Sequence, residues 1–246
     1  MNENVTKLIQ EFLRIRNLGF VKSLRGGKLG IGYTFETLLG KNEDRKYTPD
    51  YYGIELKTKL GYTKSALTLF TLSPKMEDES CSKYLLYNFG WPNPKNRFFK
   101  CLSACLYLNK KTKLGLKNYC ELLLDEENDR LTLNIYDLSN NLTNNNIIWN
   151  ISEIQNRLIT KLDYLAIIKG YPYNRDDDIY FKYTNLSIYR LRAFDKFLNL
   201  LKENKIYLKI NIDIYLDDKH FGLVQDHGTA FKLELENIED LFTKIY

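Results

Sequence analysis

Cysteine and histidine are scarce in this sequence of 246 residues, which has only four Cys and two His. The cysteines form no CxxC pair, and structural zinc sites use four Cys or His ligands at short, regular spacings. The composition therefore argues against a structural zinc site. Because no disulfide framework is evident either, we expect the thiols to be reduced and largely buried, as in a cytosolic protein.

Long apolar segments are also missing from the chain. No run approaches the roughly 18 apolar residues that indicate a membrane-spanning helix. The N-terminal sequence MNENVTKLIQEF is amphipathic and carries acidic residues, which is not typical of a secretory signal peptide. We therefore expect no signal peptide and no membrane partner.

The overall composition is that of an ordinary globular protein. Hydrophobic residues make up 44% and charged residues 27% of the chain, and this length suits one large domain or two lobes. The net charge of +5 and the pI near 8.8 permit a polyanionic partner such as nucleic acid without requiring one.

The hydrophobic patterns mix helical and strand periodicity without a regular βα repeat, which predicts an α/β or α+β protein with a mixed sheet. An amphipathic helix is predicted at 3–17, and strands at 53–58 and 66–72 are predicted to pair as a hairpin. The asparagine-rich stretch 140–146 is predicted to be a turn-rich connector. It is the best candidate for a seam between two lobes.

The segment TPDYYGIELKTK, residues 48–59, holds the residues on which the functional interpretation depends. If GIELKT is a strand, Glu55 and Lys57 point to the same side and Leu56 points into the core. Asp50 precedes the strand, so two carboxylates can converge on a hard cation such as Mg²⁺, with an ammonium beside it. This layout is typical of metal-dependent phosphodiester hydrolysis. The alternative is a solvated strand face with an ion pair, and these residues alone do not exclude it.

A glycine-rich basic loop lies upstream of this segment. Four glycines and the cations Arg25 and Lys28 occur within residues 25–32. The loop lacks the GK[ST] of a Walker motif and the strand and acid of a dinucleotide fingerprint. The loop is either a plain connector, or its backbone closely approaches a phosphate chain that Arg25 and Lys28 contact. A short helix is predicted at 33–39, and its Glu36 becomes a third carboxylate near the cation if the helix packs beside the strand.

Four blocks of the sequence, GIGYTFETLLG, PDYYGIELKTK, KSALTLFTLSP and QDHGTAF, occur in the order and spacing of a known enzyme family. They resemble the MvaI/BcnI-type restriction endonucleases of the PD-(D/E)xK nuclease superfamily, which share the fold of the MutH DNA-nicking enzyme. The resemblance covers most of the chain. It implies a restriction-endonuclease-like, MutH-type α/β fold, with a mixed central sheet flanked by helices and two lobes around a DNA cleft.

The resemblance also implies how the functions are divided along the chain. The first three blocks fit the catalytic half of the family and the last block fits its DNA-recognition half. We therefore expect a predominantly catalytic lobe at 1–140 and a predominantly recognition lobe at 141–246. A monomeric, cytoplasmic, bacterial type II restriction endonuclease is implied, which cleaves duplex DNA at a short target with Mg²⁺ and without an obligate protein partner.

The catalytic pattern of the family corresponds to Asp50, Glu55 and Lys57, with Glu36 as the acidic residue of the preceding helix. Asp50, Glu55 and the Leu56 carbonyl are then expected to hold one or two Mg²⁺ ions. Lys57 is expected to position or help deprotonate the attacking water and to stabilise developing charge. Glu36 is expected to support a second ion or to orient Lys57.

Near the C-terminus, the related enzymes read DNA bases from a strand pair around the DHG block. The corresponding residues here are Asn211, Asp213, Tyr215, Gln225, Asp226, His227 and Lys232. A two-stranded ribbon fits the major groove, where an amide such as Asn211 or Gln225 pairs with adenine. There His227 can donate to guanine, and Asp226 can accept from cytosine. The alternative is that these are ordinary polar strand residues facing solvent.

Three of these positions depart from the family pattern. Asn211 and Lys232 stand where the pattern has arginine, the residue best suited to guanine, and Gln225 replaces a histidine. We therefore expect a short target other than CC(A/T)GG, and we hypothesise that it is richer in A·T pairs.

Rival functions share several of these features. A MutH-like repair enzyme would nick one strand at a methylation-dependent site with activating partners, and a non-catalytic module would bind DNA without cutting it. A glycosidase that uses Asp50 and Glu55 as its acid pair is disfavoured. A glycosidase needs a catalytic acid with a raised pKa, whereas the adjacent Lys57 would lower that pKa.

Overall fold

The computed structural model describes residues 2–27, 30–41, 48–63, 65–77, 79–216 and 219–246. Within these ranges the α-helices are α1 (Glu3–Asn17), α2 (Gly30–Leu38), α3 (Cys81–Phe89), α4 (Ile151–Leu162), α5 (Phe194–Lys202) and α6 (Ile238–Leu241). None of the helices in the described ranges is long and apolar enough to cross a membrane. A short 3₁₀ helix occupies Leu235–Asn237.

The strands are mixed with the helices along the chain, which confirms the predicted α/β class. They are β1 (Phe20–Lys22), β2 (Ile54–Leu60), β3 (Leu67–Thr71), β4 (Trp91–Pro92), β5 (Lys100–Leu106), β6 (Thr112–Leu114), β7 (Asn118–Asp125), β8 (Arg130–Tyr136), β9 (Leu142–Asn150), β10 (Tyr164–Arg175), β11 (Asp178–Leu191), β12 (Ile206–Ile214), β13 (Val224–Asp226), β14 (Ala230–Leu233) and β15 (Phe242–Lys244).

The chain divides into two compact units, and each is built from separate stretches of sequence. Unit 1 comprises Met1–Ser65, Leu158–Ala193 and Ile238–Tyr246, and unit 2 comprises Ala66–Arg157 and Phe194–Asn237. The seam expected at 140–146 lies inside unit 2, because part of this stretch belongs to a sheet there. The units therefore do not follow the expected division into 1–140 and 141–246.

Unit 1 is organised around a five-stranded mixed sheet with the order β1-β11-β10-β2, in which β15 also pairs with β11. β2 and β10 run parallel, whereas the other pairs are antiparallel. Among the described residues, β2 lies at the edge of the sheet. One side of β2 is therefore available to groups that are not part of the sheet.

Helix α1 packs against the strands of unit 1 because its apolar residues recur at helical spacing. The buried residues of α1 are Val5, Leu8, Phe12 and Ile15. They share one core with residues of α2, β2, β10 and β11, and each fully buried large side chain contributes about 1.5–3 kcal/mol. The helix begins at an N-cap, where the Asn2 side chain accepts a hydrogen bond from the Asn4 N–H at 2.9 Å.

The hairpin expected between 53–58 and 66–72 is wrong, although both segments contain strands. β2 pairs in parallel with β10, starting with Ile54 opposite Tyr164, and β3 pairs with β14 in unit 2. The physical reason is burial, because residues 165–168 of β10 form a continuous buried apolar run. Such runs are typical of strands covered on both faces, where parallel pairing is common.

Unit 2 contains two further sheets. One has the order β3-β14-β12-β5-β4, with β13 also paired to β12, and the other has the order β6-β7-β8-β9. The Phe70 ring of β3 stacks on Phe231 of β14 with centroids 4.7 Å apart, and on Phe197 of α5 at 6.2 Å. These buried rings fix α5 on the first of the two sheets.

The stretch expected to be a connector at 140–146 is mostly strand. β9 begins at Leu142 and pairs antiparallel with β8. The turn lies just before it, where Asn140 has a φ of 67°. Asparagine is depleted in strands, but pairing with a neighbouring strand overrides this weak preference.

Helix α2 begins at Gly30, earlier than the predicted start at residue 33. A Cβ at Gly30 would lie 2.3 Å from Ser23 Oγ and 2.4 Å from the Arg25 carbonyl oxygen. A Cβ at Gly32 would lie 2.9 Å from Thr58 Oγ1 on β2. Glycine at these two positions therefore allows α2 to pack directly on the preceding loop and on β2.

The substitution Gly30→Ala is expected to destabilise the protein by about 1–3 kcal/mol, because the new methyl group overlaps a backbone oxygen that cannot easily move. Gly26→Ala is the matched control in the same loop. It has no atom within 4 Å of the added Cβ and no left-handed backbone, so it should change stability by less than about 1 kcal/mol. Urea denaturation of both variants measures the difference, and equal midpoints would contradict the packing described for α2.

The four cysteines are free thiols in different environments. Cys81 and Cys120 are buried, Cys101 is partly exposed and Cys105 is exposed. Burial raises the pKa of the Cys81 thiol to about 12 and that of the Cys120 thiol to about 11. The expectation of largely buried thiols therefore holds for two of the four cysteines.

A thiol reagent such as Ellman's reagent at pH 8 is expected to react first with Cys105. Cys81 and Cys120 should stay unreactive in the folded protein, because the thiolate is the reacting form and both thiols are buried with raised pKa values. Absorbance at 412 nm follows the reaction, and unfolding in guanidinium should release all four thiols. Rapid reaction of all of them in the native protein would contradict this placement.

Candidate active site

A tight turn before β2 brings Asp50 beside the strand that follows it. The backbone N–H and C=O groups of Tyr51 and Ile54 bond to each other at 2.9 Å in both directions. Between them, Tyr52 and Gly53 have φ angles of 45° and 86°. Two central residues with positive φ are typical of a type I′ turn. The chain reverses here, and Asp50 therefore lies alongside β2.

Asp50 is held by one backbone contact and one ion pair. Its Oδ2 accepts a hydrogen bond from the Leu56 N–H at 3.0 Å, and its Oδ1 accepts one from Lys41 Nζ at 2.6 Å. Burial by itself would raise the pKa of Asp50, but the Lys41 ammonium and the Leu56 N–H outweigh it, so the pKa is lowered. Asp50 is therefore ionised at neutral pH.

The alternation predicted for GIELKT is present in β2. Glu55 and Lys57 are in direct contact on one side of the strand, and Leu56 is buried in the core of unit 1. The N–H and C=O of one strand residue point to the same edge of the strand. Because the Leu56 N–H bonds to Asp50, the Leu56 carbonyl also faces the Asp50 side.

Glu55 is a deeply buried acid, with a relative exposure of 1%. Its Oε1 accepts a hydrogen bond from Lys57 Nζ at 2.6 Å and lies 3.3 Å from Lys161 Nζ. Its Oε2 is buried and has no hydrogen-bond partner among the described residues. Burial raises the pKa of Glu55, and the two lysines oppose that rise without cancelling it. The environment of Oε2 therefore suits a bound cation.

Glu36 approaches the same cluster from α2. The close packing of Gly32 on Thr58 holds α2 against β2 at this point. Burial raises the pKa of Glu36, and the negative charge of Asp50 raises it further. The structure therefore brings together all four residues that the sequence suggested for catalysis, namely Glu36, Asp50, Glu55 and Lys57.

Two lysines of this cluster, Lys41 and Lys161, were missed by sequence reasoning. Lys41 follows Gly40, which has a φ of 76° after the end of α2. Lys161 lies in the last turn of α4, where a lysine is common because it complements the helix dipole. Neither position carries a sequence signal for a site, and only the tertiary structure brings both lysines to the carboxylates.

The donor set resembles that of a site completed by its substrate. Among the described residues, no three His, Cys, Asp or Glu side chains are grouped closely enough to hold a metal ion by themselves. Asp50, Glu55 and the Leu56 carbonyl are all oxygen donors at one strand edge. Mg²⁺ commonly takes one or two carboxylates and completes its shell with water and phosphate oxygens. These residues therefore fit a hard cation that binds together with a phosphate.

The glycine-rich loop places Arg25 at a cavity beside Glu36. The Arg25 guanidinium lies over the Tyr33 ring, 4.3 Å from its centroid. The cavity has a volume of about 580 Å³ and is also lined by Glu36 and Thr58. Lys28, the other predicted phosphate contact of this loop, lies outside the described residues.

The residues predicted for base reading lie on or beside three strands of unit 2 and not on the expected pair, because residues 227–229 separate β13 from β14. β12 and β13 pair antiparallel, with Asp213 opposite Gln225. Lys232 of β14 lies opposite Tyr207 of β12. Odd-numbered residues of β12 share one face. The predicted residues on that face are Asn211, Asp213, Gln225 and Lys232. Tyr215 follows the end of β12 and is partly buried.

Asp226 and His227 make local contacts at the end of β13. The Asp226 carboxylate accepts hydrogen bonds from Ser73 Oγ at 3.2 Å and from the Gly228 N–H at 2.8 Å. His227 Nε2 lies 3.3 Å from Asp213 Oδ1. Asp226 thus takes part in the turn that follows the strand, whereas His227 contacts the outer face of β12.

Comparisons with known proteins cover nearly the whole chain. The profile of the MvaI/BcnI restriction endonuclease family matches residues 9–242. A solved structure of a restriction endonuclease MvaI–cognate DNA substrate complex is similar, with 28% identity and a TM-score of 0.87 over 99% of this chain and 98% of that chain. A structure of restriction endonuclease MvaI in the absence of DNA has 27% identity and a TM-score of 0.60, over 99% and 97% of the two chains. No curated protein sequence gives a significant match.

Proposed function

The chain belongs to the MvaI/BcnI restriction endonuclease family, and we propose that Asp50, Glu55 and Lys57 form its catalytic centre. It is a type II restriction endonuclease, which hydrolyses phosphodiester bonds of duplex DNA at a specific site. The observation that supports the assignment of the centre is the contact between Lys57 and the buried Glu55, with Asp50 bonded to the same strand.

Restriction endonucleases generally use divalent metal ions, and we propose Mg²⁺ for this enzyme, as one or two ions. Asp50, Glu55 and the Leu56 carbonyl would hold the cation, since hard oxygen donors suit it. The buried Oε2 of Glu55, which has no hydrogen-bond partner among the described residues, supports this choice. A cation held by these residues would offset negative charge on the phosphate and would make a nearby water easier to deprotonate.

The other charged residues of the cluster prepare this site. Lys57 supplies an ammonium that can donate to a phosphate oxygen or hold the attacking water, and so stabilises developing charge. Lys41 pairs with Asp50 and favours its ionised form. Glu36 would orient Lys57 or support a second ion from the α2 side.

We propose that unit 1 cleaves the DNA and that unit 2 reads the target. All of the catalytic candidates belong to unit 1, and all of the base-reading candidates belong to unit 2. Arg25 and Lys28 would contact DNA phosphates. The outer face of β12, with Asn211 and Asp213, would enter the major groove. This division replaces the one expected from a boundary near residue 140.

The biological setting proposed for the enzyme follows from its activity. A restriction enzyme acts on DNA that has entered a bacterial cell, which supports a cytoplasmic location. We also propose that the enzyme is a monomer in solution and that it needs no obligate protein partner.

The substitution Lys57→Ala is expected to lower the cleavage rate by at least about 100-fold, because it removes the ammonium that faces developing charge. DNA binding should remain within about threefold of wild type, since Lys57 would supply at most one of several phosphate contacts and the base contacts lie elsewhere. Gel assays of plasmid cleavage with Mg²⁺, and gel shifts in EDTA, measure the two effects separately.

Lys244→Ala is the control for Lys57→Ala, because Lys244 is exposed on β15 in the same unit. This variant should cut like wild type. Cleavage by Lys57→Ala at the wild-type rate would contradict the assigned centre. DNA binding in EDTA without any cleavage by the wild-type protein in Mg²⁺ would instead support a non-catalytic module.

The cleavage target is expected to differ from CC(A/T)GG, because Asn211 and Lys232 replace arginines of the family pattern and Gln225 replaces a histidine. Amide side chains favour adenine, so more A·T pairs are expected in the site. Digestion of unmethylated phage DNA, followed by sequencing of the cut ends, gives the target directly. Ends that define CC(A/T)GG would show this expectation to be wrong.

A further inference from the structure

Two lysine ammonium groups converge on one oxygen of Glu55. Lys57 Nζ lies 2.6 Å and Lys161 Nζ lies 3.3 Å from Oε1. Lys57 comes from β2, two residues from Glu55, whereas Lys161 comes from the last turn of α4. The Glu55 side chain is 2% exposed and the Lys161 side chain is 19% exposed, so the contact is largely shielded from water.

One carboxylate needs only one cation for charge balance, and Lys57 already supplies it at the shorter distance. Lys57 also has a second task in cleavage, which is to face the phosphate or the attacking water. A buried carboxylate that loses its partner is costly, because the remaining charge is neither solvated nor paired. Glu55 would therefore oppose any movement of Lys57 toward DNA unless another cation stays with it.

We propose that Lys161 is a positioning residue, which keeps Oε1 of Glu55 paired while the Lys57 ammonium turns to the DNA and Oε2 remains available to the metal. This role rests on the proposed function, and it is exerted through Glu55 and Lys57. In this role Lys161 itself touches neither the substrate nor the reacting atoms. An ion pair that only fastens α4 to β2 would be the purely structural alternative.

The two roles differ in what happens when the charge of Lys161 is removed. The substitution Lys161→Met removes one of the two cations at Oε1 of Glu55. If Lys161 is a positioning residue, Lys57 then stays with Glu55 and no longer turns to the DNA. The kcat for cleavage should then fall about 10- to 100-fold, as is common for residues that support a metal ligand, while KM for DNA changes less than about threefold. The variant Lys161→Arg should have a kcat within about threefold of the wild-type value, because arginine keeps a cation at the same place.

Metal binding provides a readout that does not depend on activity. Removal of a positive charge next to a metal ligand reduces repulsion of the ion, so Lys161→Met should bind Mn²⁺ about 3- to 10-fold more tightly than wild type. Electron paramagnetic resonance of free Mn²⁺ in a titration measures this change without DNA. A structural role predicts a loss of thermal stability with weaker or unchanged Mn²⁺ binding.

The experiment uses the full chain as wild type, Lys161→Met, Lys161→Arg and Glu55→Gln, each with a thermal melt. If Lys161→Met does not fold, Lys161→Gln replaces it, because the amide keeps a hydrogen-bond donor but removes the charge. A wild-type kcat in the neutral variant, or Mn²⁺ binding that is unchanged or weaker in it, would overturn the proposal. Failure of Glu55→Gln to weaken Mn²⁺ binding would instead overturn the proposed catalytic centre, so the two failures are distinguishable.

Discussion

The site depends on the burial of Glu55 on β2, which lies at the edge of the unit 1 sheet among the described residues. A carboxylate in such a position is stable only if cations or donors compensate for the lost hydration. Lys57 and Lys161 do so at one oxygen, and the other oxygen has no hydrogen-bond partner among the described residues. In the proposed function, this asymmetry leaves Oε2 of Glu55 as the ligand atom for a cation.

Local backbone features supply the geometry around this carboxylate. The type I′ turn at Tyr52 and Gly53 folds the chain so that Asp50 bonds to the strand that it precedes. Glycine at position 32 lets α2 lie close to β2, which brings Glu36 to the same edge, and glycine at position 30 lets α2 lie on the preceding loop. Glu36 thus comes from α2, Asp50 from the turn and Glu55 from β2. The contacts that fix these three local structures do not require the metal.

Much of the site could be predicted from sequence, because its central residues lie close together in the chain. The alternation of GIELKT indicated that Glu55 and Lys57 share a side, and that result follows from strand geometry alone. Lys41 and Lys161 could not be predicted, since tertiary packing brings them to the acids. The pairing of β2 with β10, more than a hundred residues later in the chain, was missed for the same reason. The division into two discontinuous units was missed because it also depends on tertiary packing. Local signals favoured a hairpin and a seam at the asparagines. Non-local burial of β10 overrode the first, and pairing of β9 with β8 overrode the second.

The location of a bound metal ion would show whether Asp50 and Glu55 form the metal site. Crystals of the protein soaked in Mn²⁺ would be measured by anomalous diffraction near the manganese absorption edge. A peak is expected within roughly 2.5 Å of an Asp50 oxygen and of Glu55 Oε2, the range of hard-cation coordination by carboxylates. A peak at another cluster of acids, with no density between Asp50 and Glu55, would contradict it.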